Sequence, residues 1–148
     1  MAMSEDIYFE TTIYIKAPKE RVWEYIVKPD YVSKYYLCPL LKIGDKAGDL
    51  IEYGMKDKIL ISGKITAFKP GSELSHSFVF DPTSHAGTEL DGSTLVNYRL
   101  NETDGITELV LHHGGFKSKD QTFSNITGGW PWIISNLKTY IETGKPLN

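Results

Sequence analysis

The segment from residue 118 to 144 constrains the fold most, because its apolar residues recur at the spacing of one helix face. Gly144 and Pro146 mark the predicted end of the helix. A helix of about 20 to 25 residues is roughly 30 to 37 Å long, so it needs a broad apolar surface beneath it. Placed at about 100° per residue, the large apolar side chains fall within a stripe roughly 120° wide: Phe123, Ile126, Trp130, Ile133, Ile134, Leu137, Tyr140 and Ile141. The predicted polar face consists of Asp120, Gln121, Ser124, Asn125, Ser135, Asn136 and Thr139.

Pro131 lies inside this segment, directly after Gly128, Gly129 and Trp130. Proline removes one backbone donor and clashes with the carbonyl group four residues earlier. Two interpretations follow: a helix from about Thr122 with a kink at the glycine pair, which we prefer, or a helix that begins near Gly129. Trp132 points away from the apolar stripe, which indicates that it covers a loop or meets another subunit.

The size and charge of the chain define its class. With 148 residues, we expect a single domain spanning 1–148. The net charge of −3, with acids and bases interspersed, disfavours nucleic acid as a partner. No apolar run approaches the length of a membrane span, and the first ten residues do not have the pattern of a signal peptide. Cys38 is the only cysteine, so we expect a cytoplasmic protein without an intrachain disulfide.

The first part of the chain predicts a strand followed by two short helices. Residues 7–16 are rich in β-branched and aromatic side chains. Pro18 is expected in the first turn of the first helix, and Pro29 ends that helix. We expect Asp30 to cap the second short helix.

From residue 40 onward the helical period gives way to short strands separated by turn signals such as Pro70-Gly71 and Asp104-Gly105. Their close spacing predicts an antiparallel meander. Together with the long helix, the pattern predicts an α+β fold with six or seven strands. The strand candidates in this part are residues 41–43, 50–53, 59–68, 73–80, 93–100 and 107–113.

Several motifs occur in an order that resembles the START/polyketide-cyclase-like (SRPBCC) superfamily. The chain is most similar to the branch named after the activator of the ninety-kilodalton heat-shock protein ATPase. The resemblance implies a helix-grip fold, in which a curved antiparallel sheet wraps around the C-terminal helix and leaves a cavity between them. The motifs are the opening TTIYIKAPKERVWEYIVKPDYVSKYY, the turn Lys46-Ala47-Gly48-Asp49, the segment Ser62-Gly63-Lys64-Ile65, the segment Leu111-His112-His113-Gly114-Gly115-Phe116, and the helix containing Gly129-Trp130.

The chain departs from this branch at two places. Tyr35-Tyr36-Leu37 and Ile51-Glu52-Tyr53 stand where the branch often places tryptophans. Aromatic bulk is kept while hydroxyl groups are added, so we expect a more polar cavity than is usual in the family. The heat-shock activator itself carries a further N-terminal domain for which this chain has no room, so we do not expect cochaperone activity to follow from the resemblance.

Aromatic and apolar side chains on the predicted sheet and helix are suited to a small-molecule pocket. For any one of these residues, a role in ordinary core packing is favoured over a role in ligand binding by roughly two to one. For the residues taken together, the resemblance to a cavity-forming fold raises the odds of ligand binding to about even. The ligand-binding candidates are Tyr53, His76, Phe78, Phe80, Tyr98, His113, Phe123, Ile126, Trp130 and Ile134.

Other chemistry has less support in the sequence. His112 and His113 are adjacent on a strand and point to opposite faces, which argues against a shared metal ion and favours one outward and one hydrogen-bonded inward side chain. Cys38 is expected to be an inert thiol. Gly114-Gly115 is interpreted as a turn rather than a phosphate-binding loop, and no cofactor is predicted. The candidates for acid–base chemistry are His76, Glu52, Asp81, His85 and Glu89, none of them in a pair that demands it.

Our leading hypothesis is therefore the binding of a small hydrophobic or amphipathic molecule in the cavity, oriented by Tyr98, His76 and His113. A cyclase or hydratase that uses the same pocket is one alternative. A protein-interaction module is another, either related to chaperones or a homodimer formed through Trp132 and the Tyr35-Tyr36 region. No membrane and no nucleic acid are expected as partners.

Overall fold

The computed structural model describes residues 7–80 and 93–148. Within these ranges the chain forms an α+β helix-grip fold, as the sequence predicts. No helix in the described part is long and apolar enough to cross a membrane. The elements in chain order are β1 (Ile7–Ile15), α1 (Lys19–Val27), α2 (Pro29–Tyr35), β2 (Leu40–Ile43), β3 (Leu50–Met55), β4 (Lys58–Lys69), β5 (Glu73–Phe80), β6 (Thr94–Thr103), β7 (Ile106–Phe116) and α3 (Gln121–Thr143).

The seven strands of the described ranges form one curved, antiparallel sheet in the order β1-β7-β6-β5-β4-β3-β2. Strands β2 to β7 therefore follow one another as a meander, and β1 joins the sheet beside β7. The tight connection between β6 and β7 uses Asp104 and Gly105, both with positive φ angles of 52° and 80°. Two consecutive residues of this kind are typical of the hairpin turn whose twist matches that of the strands.

Helix α3 is continuous from Gln121 to Thr143, so the interpretation with a start near Gly129 is wrong and Pro131 lies inside the helix. The Asp120 carboxylate accepts a hydrogen bond of 2.8 Å from the backbone N–H of Phe123. Gly144 ends the helix in the left-handed conformation, with φ 85°. The buried apolar residues of α3 are Ile126, Trp130, Ile133, Ile134, Leu137 and Ile141, which all belong to the predicted stripe.

Several local predictions are wrong. Pro18 is the N-cap of α1 rather than a residue of its first turn. Helix α2 begins at Pro29 and its N-cap is Lys28, so Asp30 lies in the first turn and does not cap it. Proline starts this helix because its fixed φ suits the first helical position. Gly115 lies within β7 rather than in a turn, and its φ of 85° accompanies a register shift opposite residues 7 and 9. This is the behaviour of a β-bulge, in which glycine adopts a conformation that other residues avoid.

Asn136 is a further exception, because it belongs to the predicted polar face of α3 but is only 1% exposed. Its side-chain oxygen accepts a hydrogen bond of 2.6 Å from the backbone N–H of Leu147. Its side-chain nitrogen donates to the backbone carbonyl of Tyr35 at 3.4 Å. These bonds compensate the burial of the amide and join α3 to α2 and to the segment after α3.

The outer edge of β1 is in contact with two side chains of α3. The Lys138 amine donates to the backbone carbonyl of Tyr14 at 2.9 Å. The backbone N–H of Lys16 donates to the Glu142 carboxylate at 2.8 Å. Lys138 and Glu142 also form an ion pair with each other at 2.6 Å. Main-chain groups at this end of the sheet edge are therefore bonded to a helix rather than to another strand.

Candidate functional site

A cavity of about 230 Å³ lies between α3, the end of β5 and the segment that follows α2. Phe78 and Phe80 are two residues apart on β5, so they share the face of the sheet that α3 covers. Ile126, Trp130 and Ile133 recur at helical spacing on α3 and form the opposite wall. The lining residues are Tyr36, Leu37, Phe78, Phe80, Asn125, Ile126, Gly129, Trp130 and Ile133.

Aromatic rings dominate this cavity. Phe78 and Phe80 meet edge to face, with their ring centroids 5.0 Å apart. The ring of Tyr36 lies 6.0 Å from that of Trp130, again at a steep angle. Edge-to-face arrangements of this kind are favourable for aromatic pairs, so these contacts stabilise the packing of the cavity walls. Most of the cavity surface is therefore suited to contact with an apolar molecule.

His113 is fully buried and connects α3 to the sheet. The indole N–H of Trp130 donates to His113 Nδ1 at 3.0 Å, so Nδ1 must be an acceptor. On the other side of the ring, His113 Nε2 is 2.8 Å from Thr94 Oγ1, whose hydroxyl donates to the carbonyl of Phe78. His113 is therefore neutral, with its proton on Nε2. Burial lowers the pKa of His113 to about 3, and the nearby His76 and His112 add to the effect.

His76 is the second buried histidine, at 1% exposure. Its Nδ1 lies 2.7 Å from the backbone carbonyl of Ser77. Burial lowers the pKa of His76 to about 4, and the hydrogen bond to Ser77 opposes part of that effect. The rings of Tyr53 and Tyr98 flank it, each with its centroid 6.3 Å from that of His76.

Tyrosine hydroxyls add polarity to this apolar interior. The ring of Tyr36 stacks on that of Tyr53 at 4.6 Å. Burial raises the pKa of Tyr53 well above its usual value, and Tyr98, Tyr36, Tyr35 and Cys38 add to the rise. Burial likewise raises the pKa of Tyr98, while a hydrogen bond with Tyr53 opposes it. The tyrosines are therefore neutral hydrogen-bonding groups.

The structure separates the predicted ligand-binding residues into three groups. Phe78, Phe80, Ile126 and Trp130 line the cavity. Phe123 is half-buried and packs against Phe116 at 5.2 Å. The remaining candidates belong to the buried core and do not line the cavity: Tyr53, His76, Tyr98, His113 and Ile134.

Sequence reasoning did not select five lining residues: Tyr36, Leu37, Asn125, Gly129 and Ile133. The apolar stripe already contained Ile133, and the departure from the family pattern already pointed to Tyr36 and Leu37. A strand-face argument could not select them, because they enter the cavity from the segment after α2.

Other chemical candidates are distributed over the molecule. The Cys38 thiol is buried, and burial raises its pKa to about 11, in agreement with an inert thiol. His112 points outward and its Nδ1 is 2.9 Å from the Glu10 carboxylate, so the predicted opposite orientation of His112 and His113 is confirmed. Glu52 is half-buried on β3. Asp81, His85 and Glu89 lie outside the described residues. No cluster of potential metal ligands occurs within residues 7–80 and 93–148.

Solved structures with the same fold include three informative neighbours. The solution structure of the Aha1 dimer from Colwellia psychrerythraea has a TM-score of 0.76 at 16% identity and is matched over 94% of this chain and 98% of that one. PFC0360w, an HSP90 activator from Plasmodium falciparum, has a TM-score of 0.71 at 15% identity, with 94% and 97% covered. DynU16, a protein in the dynemicin biosynthetic locus, has a TM-score of 0.76 at 19% identity.

The match to DynU16 covers 94% of this chain but only 48% of that protein, so the chain spans about half its length. At these identities the neighbours establish the fold alone. Among curated proteins none matches the sequence. The family described as activator of Hsp90 ATPase homolog 1-like protein matches residues 16–142. The resemblance seen in the motifs is thereby confirmed, and the chain belongs to this family.

Proposed function

We propose that the protein binds a small apolar or amphipathic molecule in the cavity between β5, α3 and the segment after α2. The observation that carries this proposal is the aromatic and aliphatic lining of a cavity of about 230 Å³. A dry apolar cavity of about 150 Å³ binds benzene, so this space suits a molecule of about the size of a fused bicyclic ring. Release of apolar surface from water would drive binding, reduced by the cost of immobilising the ligand.

The neighbouring glycines of α3 offer a matched pair of variants. A Cβ atom added at Gly129 would meet no other atom, and Gly129 lines the cavity. A Cβ atom added at Gly128 would also meet nothing, but Gly128 is exposed and does not line the cavity. Leucine favours helix over glycine by a similar amount at both positions. We therefore expect Gly129→Leu to occlude the cavity and Gly128→Leu to leave it open.

The test uses naphthalene as the probe and calorimetry as the measurement, with each protein first checked by native mass spectrometry for a small molecule carried through purification. Wild type and Gly128→Leu should bind the probe with similar affinity, and Gly129→Leu should lose at least about tenfold. Equal binding by both leucine variants, or none by wild type, would contradict the proposal.

A cyclase or hydratase using the same cavity is the second function to be tested. The buried polar side chains of the described residues include His76 and His113 but no Asp, Glu, Lys or Arg. Acid–base chemistry in the interior would thus depend on a neutral histidine, so we place binding ahead of turnover. Turnover of a candidate substrate that disappears in His76→Ala, with the fold intact, would reverse that order.

We also propose that the protein forms a homodimer, because Trp132 on α3 is 51% exposed and faces away from the buried stripe. The predicted contribution of Tyr35 is wrong, since its side chain is buried and its hydroxyl donates to the carbonyl of Tyr25. Leu37 is the exposed apolar residue of that region. Light scattering of wild type and Trp132→Gln tests this assembly, and we expect only wild type to associate. The cytoplasm remains the expected location.

A further inference from the structure

The protonation of the His76 ring follows from one hydrogen bond. Its Nδ1 lies 2.7 Å from the carbonyl oxygen of Ser77, and a carbonyl oxygen only accepts. Nδ1 must therefore carry the proton. Nε2, on the far side of the same neutral ring, is left with a lone pair that can accept one hydrogen bond.

No hydrogen-bond partner for that lone pair occurs among the described residues. His76 is 1% exposed, so bulk water does not reach it freely. Buried polar atoms without partners are rare in folded proteins, and each one indicates a role or an additional bonded molecule. By contrast, both ring nitrogens of the nearby His113 have partners. The unpaired atom is thus a property of His76 in particular.

His76 lies next to the proposed ligand cavity. It is two residues before Phe78 on β5, so both side chains point to the same face of the sheet. Tyr36 connects the two regions, because it lines the cavity and also stacks at 4.6 Å on Tyr53, which flanks His76. Tyr36 follows the last residue of α2, at the point where the helical backbone ends. Its ring thus belongs to the cavity lining and, through Tyr53, to the aromatic group that surrounds His76.

We propose that the cavity extends past Tyr36 to a polar end at His76, and that the ligand carries a hydroxyl or N–H group that donates to His76 Nε2. This inference rests on the proposed function and specifies its ligand class: an amphipathic alcohol, phenol or amine-type donor with an apolar body. In this proposal the ligand displaces the Tyr36 side chain to reach Nε2.

The same geometry disfavours an anionic ligand at this end. A carboxylate or phosphate would bring lone pairs toward the lone pair of Nε2. The described buried side chains include no Lys or Arg that could compensate such a charge. The lowered pKa of His76, about 4, keeps the ring neutral at physiological pH. Tyr53 and Tyr98 beside it are neutral as well, so the polar end is suited to an uncharged donor.

Two bicyclic probes separate the donor from the apolar body. The hydroxyl of 2-naphthol can donate a hydrogen bond, whereas the ether oxygen of 2-methoxynaphthalene cannot. Calorimetry on wild type should show 2-naphthol binding about tenfold more tightly, since one net hydrogen bond has about that effect. In His76→Leu the preference should fall by about tenfold while the affinity for 2-methoxynaphthalene is unchanged.

His76→Leu also distinguishes a ligand-binding role from a structural one. Leucine keeps apolar volume and removes the unpaired Nε2, but it also removes the Nδ1–H donor to the Ser77 carbonyl. We therefore expect the free energy of unfolding of the variant to stay within about 1 kcal/mol of wild type. A second measurement needs no substitution: the ¹⁵N resonance of His76 Nε2 should shift on addition of 2-naphthol and stay in place with 2-methoxynaphthalene.

The outcomes separate the two proposals. If both probes bind wild type equally and the Nε2 resonance does not move, the polar end is refuted while the apolar cavity stands. The same conclusion follows if the resonance is already at its hydrogen-bonded position without probe, which would identify a resident water. If neither probe binds, the proposed function itself fails. A preference for 2-naphthol that survives in His76→Leu would assign the donor contact to another residue.

Discussion

The two buried histidines show how neighbouring groups decide the character of the same side chain. His113 accepts from the Trp130 indole and donates to Thr94, so both of its ring nitrogens are paired. His76 uses only Nδ1. A fully bonded residue of this kind holds elements together, while a half-bonded one offers an acceptor to another molecule. We therefore assign His113 a structural role between α3 and the sheet, whereas the role of His76 in ligand recognition is our proposal.

Trp130→Phe tests the structural part of that assignment. Phenylalanine keeps an aromatic ring but removes the indole N–H, which leaves His113 Nδ1 buried without its donor. We expect a loss of about 1 to 3 kcal/mol in the free energy of unfolding, measured by urea denaturation with an unchanged m value.

Trp132→Phe is the matched control, because it makes the same chemical change on the same helix at a half-exposed position. Its effect should stay within about 0.5 kcal/mol. Equal effects of the two substitutions would show that the hydrogen bond to His113 contributes nothing measurable.

The lowered histidine pKa values predict how stability depends on pH. The pKa of His76 is about 4 and that of His113 about 3, both mainly through burial, against 6.5 for an ordinary histidine. Below pH 6.5 the unfolded chain therefore binds protons that the folded chain does not. Stability should be fully present above that pH and should fall as the pH decreases. Between pH 6.5 and 5.0 the expected loss is on the order of 3 kcal/mol for the two histidines together.

Denaturation at several pH values measures this loss in wild type and two variants. In His76→Leu about half of the pH-dependent loss should remain, since only His113 still contributes. In His112→Gln most of the loss should remain, because both buried histidines are still present. A pH dependence unchanged by His76→Leu would mean that His76 can be protonated within the fold.

At the scale of elements, residues at both ends of α3 determine where the helix begins and ends, and the helix accommodates a proline in its interior. Asp120 caps its start, Gly144 ends it, and Pro131 is accommodated between them. The apolar stripe continues on both sides of Pro131, through Ile126 and Trp130 before it and Ile133 after it. Burial of this face compensates the backbone hydrogen bond that proline cannot donate.

Asp120→Ala measures the contribution of the cap. The carboxylate satisfies the backbone N–H of Phe123 and also lies favourably at the positive end of the helix. We expect alanine to reduce the free energy of unfolding by about 0.5 to 2 kcal/mol. Asp120→Asn should retain most of the stability, because asparagine caps through its side-chain oxygen. An asparagine variant as unstable as the alanine variant would show that charge, rather than the hydrogen bond, is what matters.

At the scale of the whole molecule, the sequence was sufficient to predict the fold. Turn signals such as Asp104-Gly105 separated the strands, and the stripe of α3 located the helix that the sheet wraps. These are local signals, and each one agrees with the final architecture. The misassigned positions depend on distant partners: Asn136 is buried because Leu147 and Tyr35 reach it, and Gly115 is a bulge because β1 and β7 pair unevenly.

The candidate site was predicted less completely than the fold. Phe78 and Trp130 were selected because the face of a strand or helix can be read from residue spacing. Tyr36 and Leu37 were not selected, because their position depends on how the segment after α2 turns back toward α3. The position of the proton on the His76 ring could not be predicted from the sequence either, since it depends on a single contact with the backbone carbonyl of Ser77.

The contact of Lys138 and Glu142 with β1 has a consequence for behaviour at high concentration. An open sheet has two edge strands, and unpaired edge groups invite a strand from another chain. One edge strand, β2, has only four residues. At the other edge, side chains of α3 are hydrogen-bonded to the backbone carbonyl of Tyr14 and the backbone N–H of Lys16. Replacing Lys138 and Glu142 together by alanine should barely change thermal stability, as for most surface ion pairs. It should accelerate aggregation, seen as thioflavin binding on prolonged agitation.

Glu24 and Lys28 form an ion pair of the same length and helical spacing, and neither side chain is hydrogen-bonded to β1 in the described structure. Their double alanine variant should aggregate at the wild-type rate. If both double variants aggregate alike, the relevant quantity is surface charge. If only the α3 variant does so, the helix that closes the cavity also protects the sheet from fibril growth, and changes made to α3 for the sake of ligand binding will have to preserve Lys138 and Glu142.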